Sequence, residues 1–136
     1  MRVVGLDVGK VRVGVAVSDE LLLTAQGLET IKRKNLKEDL RRLKELFTTL
    51  NAERVVVGLP KNMNGTLGPQ AQEVLRFVDE MKRAIPLPIT LWDERLTTVA
   101  AERALLQADL PRARRKRLKD KLAAVLILQN YLDSQR

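Results

Sequence analysis

Valines 11, 13, 15 and 17 alternate with Arg12, Gly14, Ala16 and Ser18, a period of two that belongs to a strand with its two faces in different surroundings. Val3 to Leu6 forms a second Val-rich segment just before it, and Gly9-Lys10 between the two reads as a tight hairpin turn. A two-stranded hairpin is not stable alone in water, so a chain that opens this way must supply more strands and something to cover them. A third strand is expected between Leu22 and Ile31, interrupted at Gln26 and Gly27. Asn35 then suits the cap of a helix whose apolar positions Leu36, Leu40, Leu43, Phe47 and Leu50 recur at spacings of three and four. Val55 to Val57, closed by Gly58-Leu59-Pro60, is a short apolar strand of the kind buried on both faces. The turn-rich stretch Lys61 to Gly68 leads to Pro69, which fits the first turn of a helix reaching about Ala84 with Val74, Leu75, Val78 and Met81 inward. Pro86 and Pro88 end it, and Ile89 to Trp92 make a fifth strand. Helices are expected from about Thr97 to Gln107 and from about Arg114 to Tyr131, with a break at Asp109-Leu110-Pro111.

The order along the chain is thus βββαβαβαα. Three strands that pair as a meander, followed by helix-linked strands that cross over in parallel, predict an α/β fold: a mixed five-stranded sheet flanked by helices, in the order of the ribonuclease H-like architecture. The 136 residues suit one domain spanning 1–136. No apolar stretch approaches the roughly 20 residues that span a bilayer, and the N-terminus has no signal-peptide pattern, so a cytoplasmic protein without membrane contact is expected.

Composition narrows the chemistry. The chain has no Cys and no His, which excludes disulfides, Cys/His zinc sites, thiol nucleophiles and Ser-His or Cys-His pairs. Its net charge of +8 is concentrated. Residues 32–44 hold Lys32, Arg33, Lys34, Lys37, Arg41, Arg42 and Lys44 against Glu38 and Asp39, a net of +5. Residues 112–121 carry a net of +6 around the lone Asp120, so everything else sums to −3. Positive charge focused in two runs points to a nucleic acid partner. The four aromatics are too scattered for a base-stacking platform.

Three acids stand where chemistry would need them. Asp7 shares a strand face with Val3 and Gly5, and a carboxylate there is costly to desolvate unless a cation or donors meet it; alternatively, it caps the Gly9-Lys10 turn. Asp93 and Glu94 lie at the carboxyl end of the fifth strand, where α/β sheets gather ligands. Strand alternation lets only one of them share the site of Asp7. The longer reach of Glu94 favours it, with Asp93 as the alternative, and both also suit the N-terminal end of a following helix capped by Thr97 or Thr98. Asp120 aligns with Ala123, Ala124 and Ile127 on a packed helix and is expected to point toward the sheet, unless it pairs with Lys116, Lys119 or Lys121. The loop holding Asn62 and Gly65 offers amides ahead of a helix N-terminus, where anions are favoured. Three carboxylates without His or Cys are hard oxygen ligands for Mg²⁺ or Mn²⁺. Two such ions about 4 Å apart stabilise both oxygens of a phosphodiester displacement.

Gly5-Leu6-Asp7-Val8-Gly9 with Arg12, Gly14, Ala16, Ser18 and Asp19, then Gly58-Leu59-Pro60 with Asn62 and Gly65, then Asp93-Glu94-Arg95-Leu96-Thr97-Thr98, then Asp120 with Ala123, Ala124, Ile127, Leu128, Gln129 and Tyr131 resemble the bacterial YqgF/RuvX family over nearly the whole chain. The resemblance implies a ribonuclease H-like fold and a metal-dependent nuclease, acting in 5′-end maturation of pre-16S ribosomal RNA or in Holliday junction resolution. The family's motif acids fall on Asp7, the Asp93-Glu94 pair and Asp120, and Asp7, Glu94 (with Asp93 as the alternative) and Asp120 are expected to act as catalytic metal ligands, with water on the metal as nucleophile. Arg12, Asn62, Arg95, Lys116 and Lys119 would hold phosphates of a pre-rRNA or a four-way DNA junction. RuvC-like resolvases place an acid at the end of the fourth strand, where this chain has Leu59-Pro60, which shifts weight to Glu94. A homodimer is expected by analogy with junction resolvases. Two other readings share these features: a non-catalytic RNA-binding ribosome assembly factor, and a phosphotransferase of the actin and sugar kinase superfamily. The second needs two domains closing over a nucleotide, and 136 residues supply one.

Overall fold

The computed structural model describes residues 1–94 and 112–136, with side chains described for 1–94 and 122–136. Strands β1 (Arg2–Val8), β2 (Arg12–Ser18), β3 (Ala25–Lys32), β4 (Ala52–Leu59) and β5 (Ile89–Asp93) form one sheet in the order β3-β2-β1-β4-β5. The first three are antiparallel neighbours, and β4 and β5 run parallel to β1. Helices α1 (Leu36–Thr49) and α2 (Pro69–Ala84) carry the chain between the later strands, and α3 (Arg112–Ser134) closes it. The expected helix Thr97–Gln107 and the break after it lie outside the described residues.

The period-two pattern does what it predicts. Val4, Leu6 and Val8 of β1, Val13, Val15 and Val17 of β2, and Val55 and Val57 of β4 bury one face under Leu40, Leu43 and Phe47 of α1 and Val74, Phe77, Val78 and Met81 of α2. The other face, with Val3, Ala16 and Val56, is covered by Ala124, Ile127, Leu128 and Leu132 of α3. Gly5 lets α3 come close: a Cβ there would stand 2.7 Å from the Leu128 Cβ and 3.1 Å from the Ala124 carbonyl oxygen. Asn35 caps α1 by accepting from the Glu38 N–H at 2.9 Å.

Three details differ from the expectation. β3 runs through Gln26 and Gly27, because a bulge absorbs the irregularity: Val15 pairs with Glu29 and Ala16 with Gly27, leaving Leu28 unpaired. β4 is longer than its valine run, starting at Ala52. In α1 the acidic Asp39 is buried with the leucines, because the Lys34 N–H and the Arg33 guanidinium, at 3.0 and 3.5 Å, meet its carboxylate.

Buried Ser18 accepts from the Val3 N–H at 2.9 Å and donates to the Asp19 carbonyl at 3.0 Å. Ser18→Ala would strand a buried donor, so a loss of about 1–3 kcal/mol is expected in urea unfolding. A change within experimental error would show that the Val3 N–H finds another partner.

Candidate active site

Because β1, β4 and β5 are parallel, their carboxyl ends share one edge of the sheet. Asp7 is the last residue but one of β1, Asp93 ends β5, and Glu94 follows it. Alternation along β1 sends Leu6 and Val8 into the α1/α2 core and leaves Gly5 and Asp7 on the α3 face. Along β5, Trp92 joins the α3-side cluster, where it meets Tyr131 edge to face at 5.9 Å, and Glu94 continues on that side. The Glu94 N–H donates to the Leu59 carbonyl at 3.3 Å, extending the β4–β5 ladder by one residue.

Leu6 is in register with Val57, and Gly58 with Trp92. Gly58 is therefore the next position across from Asp7. The Glu94 side chain folds back over it, so that a Cβ on Gly58 would collide with Glu94 Oε2 and with the Ile127 side chain of α3. Glu94 is only 6% exposed, and its Oε2 is buried with no hydrogen-bond partner among the described residues. Burial first, and then the negative charges of Asp7 and Asp93, push its carboxyl up to about 8. Asp93, by contrast, is exposed.

A buried carboxyl near other carboxylates, with an oxygen that has no partner among the described residues, is a place where a cation is favoured. Asp7 and Glu94 supply hard oxygen donors that fit Mg²⁺ or Mn²⁺. Among the described residues no three acids gather at metal-binding spacing. The third acid singled out, Asp120, falls within α3, four residues before Ala124 and seven before Ile127, and its side chain lies outside the described residues.

The phosphate-holding candidates are dispersed in what can be described. Arg12 opens β2, two residues from the Gly14 that pairs with Asp7. Asn62 is exposed and spends its amide on its own loop: its N–H and Nδ2 reach the Thr66 carbonyl and Oγ1 at 2.9 and 3.0 Å. Lys116 and Lys119 lie on α3, with side chains outside the described residues, as is Arg95 altogether. The first basic run is less free than its count suggests. Arg41 pairs with Glu38 and Glu45, Arg42 with Glu29, and Arg33 with Asp39 while lying 5.1 Å over the Phe77 ring. Two residues whose roles sequence reasoning missed are Gly58 and Gln129. The latter ties α3 to the β2–β3 turn by accepting from the Ala25 N–H at 2.9 Å and donating to the Leu23 carbonyl at 3.0 Å. Its long sequence separation from both partners left no local signal.

The family model described as RuvX, Holliday junction resolvase, matches residues 1–134. The chain belongs to the RuvX family. A RuvX relative from Thermoanaerobacter pseudethanolicus, named "Putative pre-16S rRNA nuclease", is 59% identical over 137 residues, covering 100% of this chain and 99% of its own. One from Clostridium tetani with the same name is 54% identical over 134 residues, covering 98% and 97%. Among solved structures, the T. thermophilus RuvC in complex with a Holliday junction substrate superposes with a TM-score of 0.63 at 20% identity, covering 99% of this chain and 95% of that one. The fowlpox virus resolvase with Holliday junction DNA gives 0.60 at 12% identity, covering 99% of both. At such identities the likeness is one of fold, and it establishes the RuvX chain as ribonuclease H-like. Among its described residues no helix is long and apolar enough to cross a membrane.

Proposed function

We propose that this chain is a divalent-metal-dependent endonuclease that hydrolyses phosphodiester bonds in structured nucleic acid. The observation that carries the reading is Glu94, buried beside Asp7 with an oxygen that has no partner among the described residues, at the sheet edge where β1 and β5 end. Asp7, Glu94 and Asp120 would hold Mg²⁺ or Mn²⁺. Held there, such ions would supply charge neutralisation at the phosphate and lower the pKa of water so that hydroxide is available near neutral pH, with no His base needed.

The chain's own residues do the rest. Asp7, half-buried on its strand, and Glu94, walled by Gly58 and Ile127, fix two carboxylates on a rigid sheet rather than on a loop. Arg12 lies on the Asp7 side of the hairpin, and Lys116 and Lys119 belong to the basic start of α3; their charge would hold phosphates of the nucleic acid. Arg95 would add to that charge, and Asn62 would join the contact only by giving up its bonds to Thr66. The single domain 1–136 acts as a homodimer, which would set two sites on a substrate of two-fold symmetry.

The family description supports a four-way junction as substrate, and the relatives' names support precursor 16S rRNA. Cleavage of both by the purified protein, with Mg²⁺ and with Mn²⁺, tests the reading. Metal-dependent cutting of at least one is expected. Salt-sensitive binding to RNA without cleavage under either metal would leave the non-catalytic assembly factor in its place.

A further inference from the structure

We infer that Gly58 is a positioning residue, whose missing side chain is the seat that holds the Glu94 carboxylate next to Asp7. The inference rests on the metal-site reading of Asp7 and Glu94 and adds to it the feature that brings them together.

Glu94 lies past the end of β5, two residues beyond Trp92, the register partner of Gly58. Leu6 pairs with Val57, so the space above Gly58 adjoins Asp7 across the ladder. Any side chain at position 58 would fill that space. A Cβ there collides first with Glu94 Oε2 and then with the Cδ1 of Ile127, which closes the same space from α3. The backbone of Gly58 is not the reason for glycine, since its φ is outside the positive region in which Gly65 lies. The close approach is the reason. Glu94 is 6% exposed although it stands at the end of an edge-side strand, because the bare surface of β4 lets it turn inward. The seat also fits the lack of an acid at the carboxyl end of β4: there β4 contributes room for a carboxylate, and the β5 end contributes the carboxylate.

A positioning role predicts energetic coupling between 58 and 94, and a metal effect that a purely structural glycine would not show. Four proteins decide it: wild type, Gly58→Ala, Glu94→Ala and the double variant, each melted in EDTA and titrated calorimetrically with Mn²⁺ at pH 8. Gly58→Ala alone should lower Tm by about 5 °C, and by less than half of that in the Glu94→Ala background, where the colliding carboxylate is gone. Gly58→Ala should also weaken Mn²⁺ binding at least about tenfold, to the level of Glu94→Ala, the amount expected when the support of a ligand is removed. Equal Tm losses in the two backgrounds would overturn the inference, as would unchanged Mn²⁺ affinity in Gly58→Ala. If wild type binds no Mn²⁺, the metal reading fails, and the Tm cycle alone decides whether Gly58 seats Glu94.

Discussion

Asp7→Asn should reduce metal-dependent cleavage by about a thousandfold, the order lost when a group that stabilises the reacting charge is removed, and should leave substrate binding equal or tighter. The asymmetry follows from the position of Asp7. It stands next to last on β1, paired with Gly14 on β2 and beside Gly58 on β4, half-buried. An amide of the same size preserves that packing, so the fold is expected to survive. What disappears is a negative oxygen donor. Near a phosphate a lost negative charge lowers repulsion, which is why binding should hold or improve while chemistry collapses. Single-turnover cleavage and a binding titration on the same substrate separate the two. Cleavage within tenfold of wild type would remove Asp7 from the mechanism.

Glu94→Gln should remove the fall in stability with rising pH that this carboxyl imposes on the metal-free protein. In the unfolded chain this carboxyl titrates near 4.5, and in the folded protein at about 8, for want of water and because of Asp7 and Asp93. Between those values the unfolded chain is ionised at this position while the folded protein keeps the proton. Folding then takes up a proton, and stability falls as pH rises across that window. Below 4.5 the penalty is absent, and above 8 it is complete. Glutamine carries no such charge, so in EDTA the variant should exceed wild type by about 2–4 kcal/mol at pH 8.5 and by much less at pH 4.5. Added Mn²⁺ should recover the deficit in wild type by binding only the folded state, and should do little for the variant. Parallel pH profiles for the two proteins would show that Glu94 is not the group that costs stability.

Much of the fold is legible because its signals are local. The valine alternation of residues 11–17, the Asn35 cap and the Pro69 start each act within a few residues, and each element forms where the spacing predicts. Strand parity says only that Asp93 and Glu94 face opposite sides, and the choice of Glu94 rests on its longer reach; the β5 register turns Trp92 and Glu94 to the α3 face. What stayed hidden depends on contacts between distant segments. Gly58 reads in the sequence as the close of a short apolar strand, and only the folding-back of a residue 36 positions later gives it a seat to provide. Asp39 reads as a solvent-facing acid until Arg33 and the Lys34 N–H arrive to bury it. The first basic run's net of +5, which already counts Glu38 and Asp39, is offset further by Glu45 and Glu29, which pair with Arg41 and Arg42 from outside the run.

Asp7, Glu94 and Asp120 are proposed to share divalent cations at the carboxyl edge of the sheet. Crystals soaked in Mn²⁺ at pH 8 and measured at the manganese edge should show anomalous peaks within bonding distance of carboxylate oxygens from all three residues. Peaks that touch none of them, or no peaks at saturating Mn²⁺, would remove the shared metal site.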